Sequence, residues 1–318
     1  MEQNKRTRVI AVVGPTASGK TELAVELAVR LNGEVVSADS MQIYRYMDIA
    51  TAKPSKEEMR GIPHHLIDFV EPDEKFSVAR YVELAHAAIS DIAGRGRVPI
   101  IAGGTGLYVD SLLQNISFSP QESDEGLRRE LNATAAEKGG AYMLELLREI
   151  DPQSAERLHP NNVGRIIRAI ELYRITGVTM SEQLARSHGE QIYEPLFIGL
   201  DFRERERLYE RINLRVDRML EAGLLDELKA LERRGFSDTA CQAIGYKELA
   251  GWQRGEMSFE AAVEELKRST RRYAKRQLTW FRRNPDTHWF CREDYPDPQQ
   301  LKDAAYSLAE GFLRGERS

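Results

Sequence analysis

The chain is poor in the features that would place it in a specialised class. It has only two cysteines, Cys241 and Cys291, far apart and in no CxxC pair. That argues against a structural zinc site and fits the reduced thiols of a cytoplasmic protein. No apolar run is long enough to cross a bilayer. The segment Met1 to Arg8 is short and polar and lacks the apolar stretch of a secretory signal, so a cytoplasmic location is expected. There is no excess of positive charge: the net charge is -5, which excludes a surface basic all over. A nucleic-acid binder of this composition needs a local basic stripe instead. There is no internal repeat and no low-complexity tract. What is present is 318 residues, 42% of them hydrophobic and 30% charged. Such a chain can bury a substantial core under a well-solvated surface, in about two domains.

Strand and helix signals alternate at the start. RVIAVV at 8–13 reads as a short buried strand, and Leu23, Leu27 and Leu31 give helical spacing after Lys20. EVVSAD at 34–39 is a second strand ending on an aspartate. Residues 77–93 read as a helix and VPIIAGG at 98–104 as a third strand. From 123 to 186 the pattern is helical, punctuated at Gly139–Gly140, Asp151–Pro152 and His159–Pro160. A strand returns at 195–201, one long amphipathic helix is expected over 203–234, and 287–290 offers a last strand. The expected fold is α/β, a parallel-sheet core with helices on both faces and a helical insertion domain. The expected division is 1–118 (first part of the core), 119–190 (insertion) and 191–318 (core completion and C-terminal helices). No obvious pairing helix is seen, so a monomer is expected.

Gly14-Pro15-Thr16-Ala17-Ser18-Gly19-Lys20-Thr21 fits the P-loop pattern G-x-x-x-x-G-K-[ST] and sits between a strand and a helix, the context that gives the pattern meaning. The glycines let backbone N–H groups wrap phosphate oxygens, and the helix N-terminus favours anions. Lys20 supplies a point charge, and the Thr21 hydroxyl can hold Mg²⁺. Such a loop takes diphosphates and triphosphates such as ATP alike, so nucleotide binding does not by itself imply hydrolysis.

Asp39 ends the second strand and therefore lies at the same sheet edge as the P-loop, where ligands bind. It can accept a proton from an amine or organise magnesium, or simply start a turn. Gly103-Gly104-Thr105-Gly106-Leu107-Tyr108 follows the third strand at that edge, with glycines that admit a close ligand and a hydroxyl on Thr105. Arg207, Arg211 and Arg215 share a helix face. They read either as a solvated salt-bridge face with Glu204 and Glu210, or as a source of one arginine for a pyrophosphate. Between Lys267 and Arg283 stand eight basic residues and no acid. On these residues alone, three readings stay open: a transferase using a diphosphate substrate, a P-loop nucleotide or small-molecule kinase, and a non-catalytic RNA-binding protein.

Seven segments together narrow the choice. GPTASGKT, SADSMQIYRYMDIATAKP, HHLIDFVEPDEKFSVARY, GGTGLY, HPNNVGRIIRAIE, QAIGYKE and RRYAKRQLTWFRR occur in that order from Val9 to Arg283. In this the chain resembles the bacterial tRNA dimethylallyltransferases, without the zinc-finger tail of some eukaryotic members. The resemblance implies that dimethylallyl diphosphate donates its prenyl group to the exocyclic amine of the adenine just 3′ of the anticodon, in tRNAs reading codons that begin with U. Diphosphate would leave with the help of Mg²⁺. It further implies Asp39 as general base, Lys20, Thr21 and Arg215 on the diphosphate, and Thr105 near the reacting centre. It places the tRNA anticodon loop against Asp39, Ser40, Met41, Gln42 and Thr105, against Gly164, Arg165, Ile166, Ile167 and Arg168, and against Arg128 in the insertion. A base inside a loop must be taken out of its stack to be modified, which fits recognition of an unpaired RNA loop.

Overall fold

The structure, a computed structural model, describes residues 6–118, 124–187, 189–237 and 239–316. Most of the polar N-terminal segment and the expected boundary after residue 118 fall outside them. The strands are β1 (Thr7–Val13), β2 (Gly33–Ser37), β3 (His64–His65), β4 (Val98–Gly103), β5 (Tyr193–Asp201) and β6 (Thr287–Cys291). They form one six-stranded sheet in the order β3-β2-β4-β1-β5-β6, and every neighbouring pair is parallel. The helices are α1 (Lys20–Leu31), α2 (Lys56–Met59), α3 (Val78–Gly94), α4 (Gly106–Leu113), α5 (Glu125–Ile150), α6 (Pro152–Arg157), α7 (Val163–Thr176) and α8 (Met180–Ser187), then α9 (Arg205–Glu221), α10 (Leu224–Arg234), α11 (Tyr246–Gln253), α12 (Phe259–Phe281) and α13 (Pro298–Arg314).

The chain divides into two compact units, one of residues 1–113 with 191–318 and one of residues 114–190. In the first, the pleat sends Ile10 and Val12 of β1 into a core with Leu23 and Leu27 of α1 and Leu301 and Ala305 of α13. The alternate residues Val9, Ala11 and Val13 are equally buried, so the opposite face of the sheet is covered as well. Burying one such aliphatic side chain is worth about 1.5–3 kcal/mol, which holds the strand ends rigid under the loops they carry. The expected single helix over 203–234 is two helices. The leucine spacing runs on through Leu220, Leu224 and Leu228, but Gly223 has φ 99° and ends the first helix. In the second unit α5 kinks at Gly139, which has φ 82°. A Cβ on the neighbouring Gly140 would lie 2.1 Å from Pro160 O. Leu131, Leu144, Leu147, Ile166 and Ile170 form this unit's own core.

Candidate active site

The loop after β1 is shaped by its glycines. Gly14 has φ 143° and a Cβ there would stand 2.6 Å from Leu200 O on β5, so no side chain fits. Gly19, at φ 95°, turns the chain into α1. Lys20 leads that helix, and its Nζ donates to Pro15 O at 2.7 Å. Burial and the nearby Arg215 pull the Lys20 ammonium down to about 7, against a smaller opposing pull from Asp39. The protein's own groups therefore leave the site short of negative charge. A bound diphosphate reverses this, so binding above pH 7 must take up a proton. The affinity for inorganic diphosphate is expected to fall as pH rises from about 7 towards 9, and calorimetry in buffers of different ionisation enthalpy reads the uptake directly. Loss of that proton uptake in Lys20→Ala assigns it to this residue; its persistence assigns it elsewhere.

Two residues beyond β2, the Asp39 Oδ1 accepts from Met41 N at 2.9 Å and Gln42 N at 3.3 Å. This local turn fixes the carboxylate, and its Oδ2 has no hydrogen bond among the described residues. The loop after β4 is zipped to the same segment. A Cβ on Gly103 would stand 2.2 Å from Ala38 O, Thr105 N donates to that carbonyl, and Ser40 N donates to Thr105 Oγ1 at 3.0 Å. Asp39 and Thr105 are thus neighbours through Ser40. One oxygen of Asp39 makes the turn that the sequence allows for, and the other makes no hydrogen bond among the described residues.

The three arginines of α9 separate. Arg207 pairs with Glu204 on the surface, as the solvated reading expects. Arg211 donates to the P-loop carbonyl Ala17 O at 3.0 Å. Arg215 is half-buried, has no hydrogen bond or ion pair among the described residues, and faces the field of Asp39. These groups meet at a cavity of about 260 Å³ whose wall includes Thr16, Lys20, Thr21, Asp39, Gln42 and Arg215. The wall also includes the apolar Ala50, Ala243, Val216 and Met219. Two cations and one free carboxylate oxygen beside an apolar wall suit a substrate with an anionic head, an apolar body and a proton to lose.

Comparison with known proteins decides the family. A family model described as IPP transferase matches residues 42–284. A tRNA dimethylallyltransferase of Caldanaerobacter subterraneus is 47% identical over 96% of this chain and 99% of its own. The chain belongs to the IPP transferase family. Among solved structures, a tRNA isopentenylpyrophosphate transferase from Bacillus halodurans superposes with TM-score 0.74 at 45% identity, covering 98% of each chain. A eukaryotic dimethylallyltransferase, captured acting on tRNA, gives TM-score 0.82 at 30% identity over 98% of this chain and 80% of its own. The kinase alternative drawn from the P-loop is not favoured by these relatives.

Several residues of the site were not assigned to it from sequence, Arg276 being expected only as part of the basic stripe. Tyr273, Arg276 and Gln277 of α12 line the cavity. The Tyr273 phenol is pushed up by burial and by Asp39, with the nearby Thr105 and Gln277 side chains opposing the shift. Thr105 itself is not on the cavity wall. The available signal was Tyr273 and Gln277 standing four apart as uncharged breaks in a basic run. Pro15 and Ser18 hold the loop's shape, Ser18 N donating to Pro15 O, and Ser18 is buried.

Within the second unit, Glu171 is fully buried and its Oε2 accepts from Arg128 Nη2 and Arg168 Nη1, both at 2.7 Å. Burial alone would push this carboxyl up, yet the two guanidinium groups hold it below its ordinary value. Gly164 and Arg165 are exposed, whereas Ile166 and Ile167 are 0% and 3% exposed in the core of α5 and α7. Of the five residues from Gly164 to Arg168 expected to meet RNA, Ile166 and Ile167 spend their side chains on packing, which leaves Gly164, Arg165 and Arg168 to serve that expectation. Among the described residues no helix is long and apolar enough to cross a membrane, and no cluster of His, Cys, Asp or Glu could by itself hold a metal.

Proposed function

We propose that the chain is a tRNA dimethylallyltransferase, moving a prenyl group from dimethylallyl diphosphate to the exocyclic amine of the adenine just 3′ of the anticodon. The observation that carries the reading is that Lys20 and Arg215, neither bound to an anion among the described residues, line one cavity together with Asp39, whose Oδ2 makes no hydrogen bond there. The cations seat the diphosphate, and the planar guanidinium suits two of its oxygens at once. The bond from the allylic carbon to oxygen breaks, with its electrons leaving on the diphosphate. The carbon–nitrogen bond forms, and the amine proton passes to Asp39. Thr105 and Ser40 hold the segment that carries this carboxylate.

Magnesium fits the donors present. Mg²⁺ keeps several waters and is held by one or two protein oxygens together with substrate phosphates. The Thr21 hydroxyl on the cavity wall would be its protein contact. When bound, the ion would neutralise charge on the leaving diphosphate. The decisive experiment incubates the protein with tRNA and labelled dimethylallyl diphosphate, and separately with ATP. Label transferred to tRNA without ATP supports the reading, and phosphoryl transfer from ATP overturns it.

The grip on tRNA is assigned to one face of α12 and to exposed residues of the second unit. Lys267, Arg268 and Arg282 are paired with Asp217, Glu265 and Asp201. Arg271 is tied to Asn213 and Glu264. The side chains of Arg272, Lys275, Arg276 and Arg283 have no ion pair or hydrogen bond among the described residues, and helical spacing puts the first three on a single face of α12, with Arg283 just beyond the helix end. Replacing Arg272 and Lys275 by Ala is therefore expected to flatten the log–log salt dependence of tRNA binding by about 0.7–0.9 per lost phosphate contact. Arg271→Ala, which frees an acid as it removes a base, is expected to change the slope much less. Fluorescence titrations at stepped KCl check this; equal slopes for Arg272→Ala, Lys275→Ala and the unaltered protein would return this face to solvent.

A further inference from the structure

The β1–β4 ladder ends at the pair Val13 and Gly103. Beyond that point no strand pairing holds the P-loop to the Gly104 loop, yet a side chain spans the gap. Gln277 of α12 is 4% exposed. Its Oε1 accepts from Thr16 N at 2.8 Å, and its Nε2 donates to Gly104 O at 2.9 Å. One buried amide thus supplies to each loop the hydrogen bond that a continuing strand would have made. We propose that Gln277 is a positioning residue that sets the spacing between the diphosphate loop and the acceptor-side loop. The proposal rests on the transferase reading above.

Three observations support it. First, Thr16 N–H is committed to Gln277 Oε1, so the order of this amide reports the position of the loop. Second, a Cβ on Gly104 would stand 2.0 Å from Gln277 Nε2, which gives that glycine a reason independent of its backbone freedom. Third, Gln277 is the middle of three contacts that one face of α12 makes with the same stretch of chain. Tyr273 meets Thr105, and Trp280 Nε1 donates to Asp110 Oδ2 at 2.7 Å while its ring closes over Gly106. The helix is a bar laid across the loops, and only Gln277 on it reaches both. An in-line transfer depends on the gap between leaving group and nucleophile, and a displacement on the order of 1 Å can cost about a hundredfold in rate.

Gln277→Met keeps the length of the side chain and removes both hydrogen bonds. Two readouts are expected to move. Hydrogen exchange at the Thr16 amide accelerates by about 2- to 10-fold, because the buried donor loses its partner. Single-turnover prenyl transfer at saturating concentrations of both substrates falls by about 10- to 100-fold. A merely structural role would shift the melting temperature while the folded protein kept its rate at saturation. A second set of variants guards against misfolding. Gly104→Ala is expected to be severe in the unaltered background and much milder with Gln277→Ala, since the added methyl group then meets no amide. An unchanged Thr16 exchange rate, a normal rate in Gln277→Met, or strictly additive effects in the cycle would each overturn the proposal. The exchange measurement uses no substrate, so the two failures differ. A wrong brace leaves Thr16 protected in the variant, whereas a wrong transferase reading leaves it exposed and the unaltered protein unable to move a prenyl group.

Discussion

Asp39→Asn is expected to lower single-turnover prenyl transfer by about 10²–10⁴-fold while dimethylallyl diphosphate affinity changes little. The exocyclic amine of adenine is a poor nucleophile because its lone pair is delocalised into the ring, and it must lose a proton as the new bond forms. The structure makes this substitution a clean one. The Oδ1 that accepts from Met41 N and Gln42 N is retained by asparagine, so the turn that carries the side chain keeps its shape. What changes is Oδ2, from a free basic oxygen to an amide nitrogen. The charge of Asp39 also acts on Lys20 and Arg215, favouring their protonated forms. Its removal slightly weakens that support while lifting a repulsion on the incoming anion, and these opposed effects leave donor affinity nearly level. A magnesium-organising Asp39 gives the reverse pattern, with affinity and metal dependence shifting markedly. The measurement is donor binding and single-turnover rate on one mutant preparation. Collapsed affinity with a normal rate at saturation would move Asp39 from proton acceptor to metal site.

What the sequence reveals of this protein follows from how local each feature is. The P-loop lies within eight residues between a strand and a helix, and parallel-sheet logic alone puts Asp39 and Gly104 at the same edge. The α/β fold is legible for the same reason: short β-rich runs alternate with helical spacing. Features made by distant contacts are not legible. Nothing near Gln277 in the chain says that it joins Thr16 to Gly104 O, and no periodicity distinguishes the paired Arg271 from the unpaired Arg272. The break at Gly223 is masked because the leucines on either side keep helical spacing across it. Ile166 and Ile167 sit between arginines within a motif, and only the packing of α7 on α5 shows that their side chains belong to a core.

Lys20→Ala is expected to lower prenyl transfer roughly a hundredfold, by about 3 kcal/mol of lost transition-state stabilisation. Charge grows on the diphosphate as the allylic bond breaks, so a fixed cation beside it helps the transition state more than the ground state. Lys20 is placed for that role, its ammonium held against Pro15 O at the start of α1 and next to Arg215. Arg215 survives in the mutant, which is why the loss is finite and donor binding is weakened but not abolished. Stability separates this from a folding defect. The unfolded lysine titrates near its ordinary value, and in the folded site its pKa falls to about 7. Between those limits the native state binds fewer protons than the unfolded chain, so the native protein gains stability as pH rises through that window. Below pH 7 the cost of the buried ammonium is fully present, and removing it there should raise the melting temperature or leave it level. A mutant that melts normally at pH 6.5 and transfers prenyl within a few-fold of the unaltered rate would show that the diphosphate sits elsewhere than on the P-loop.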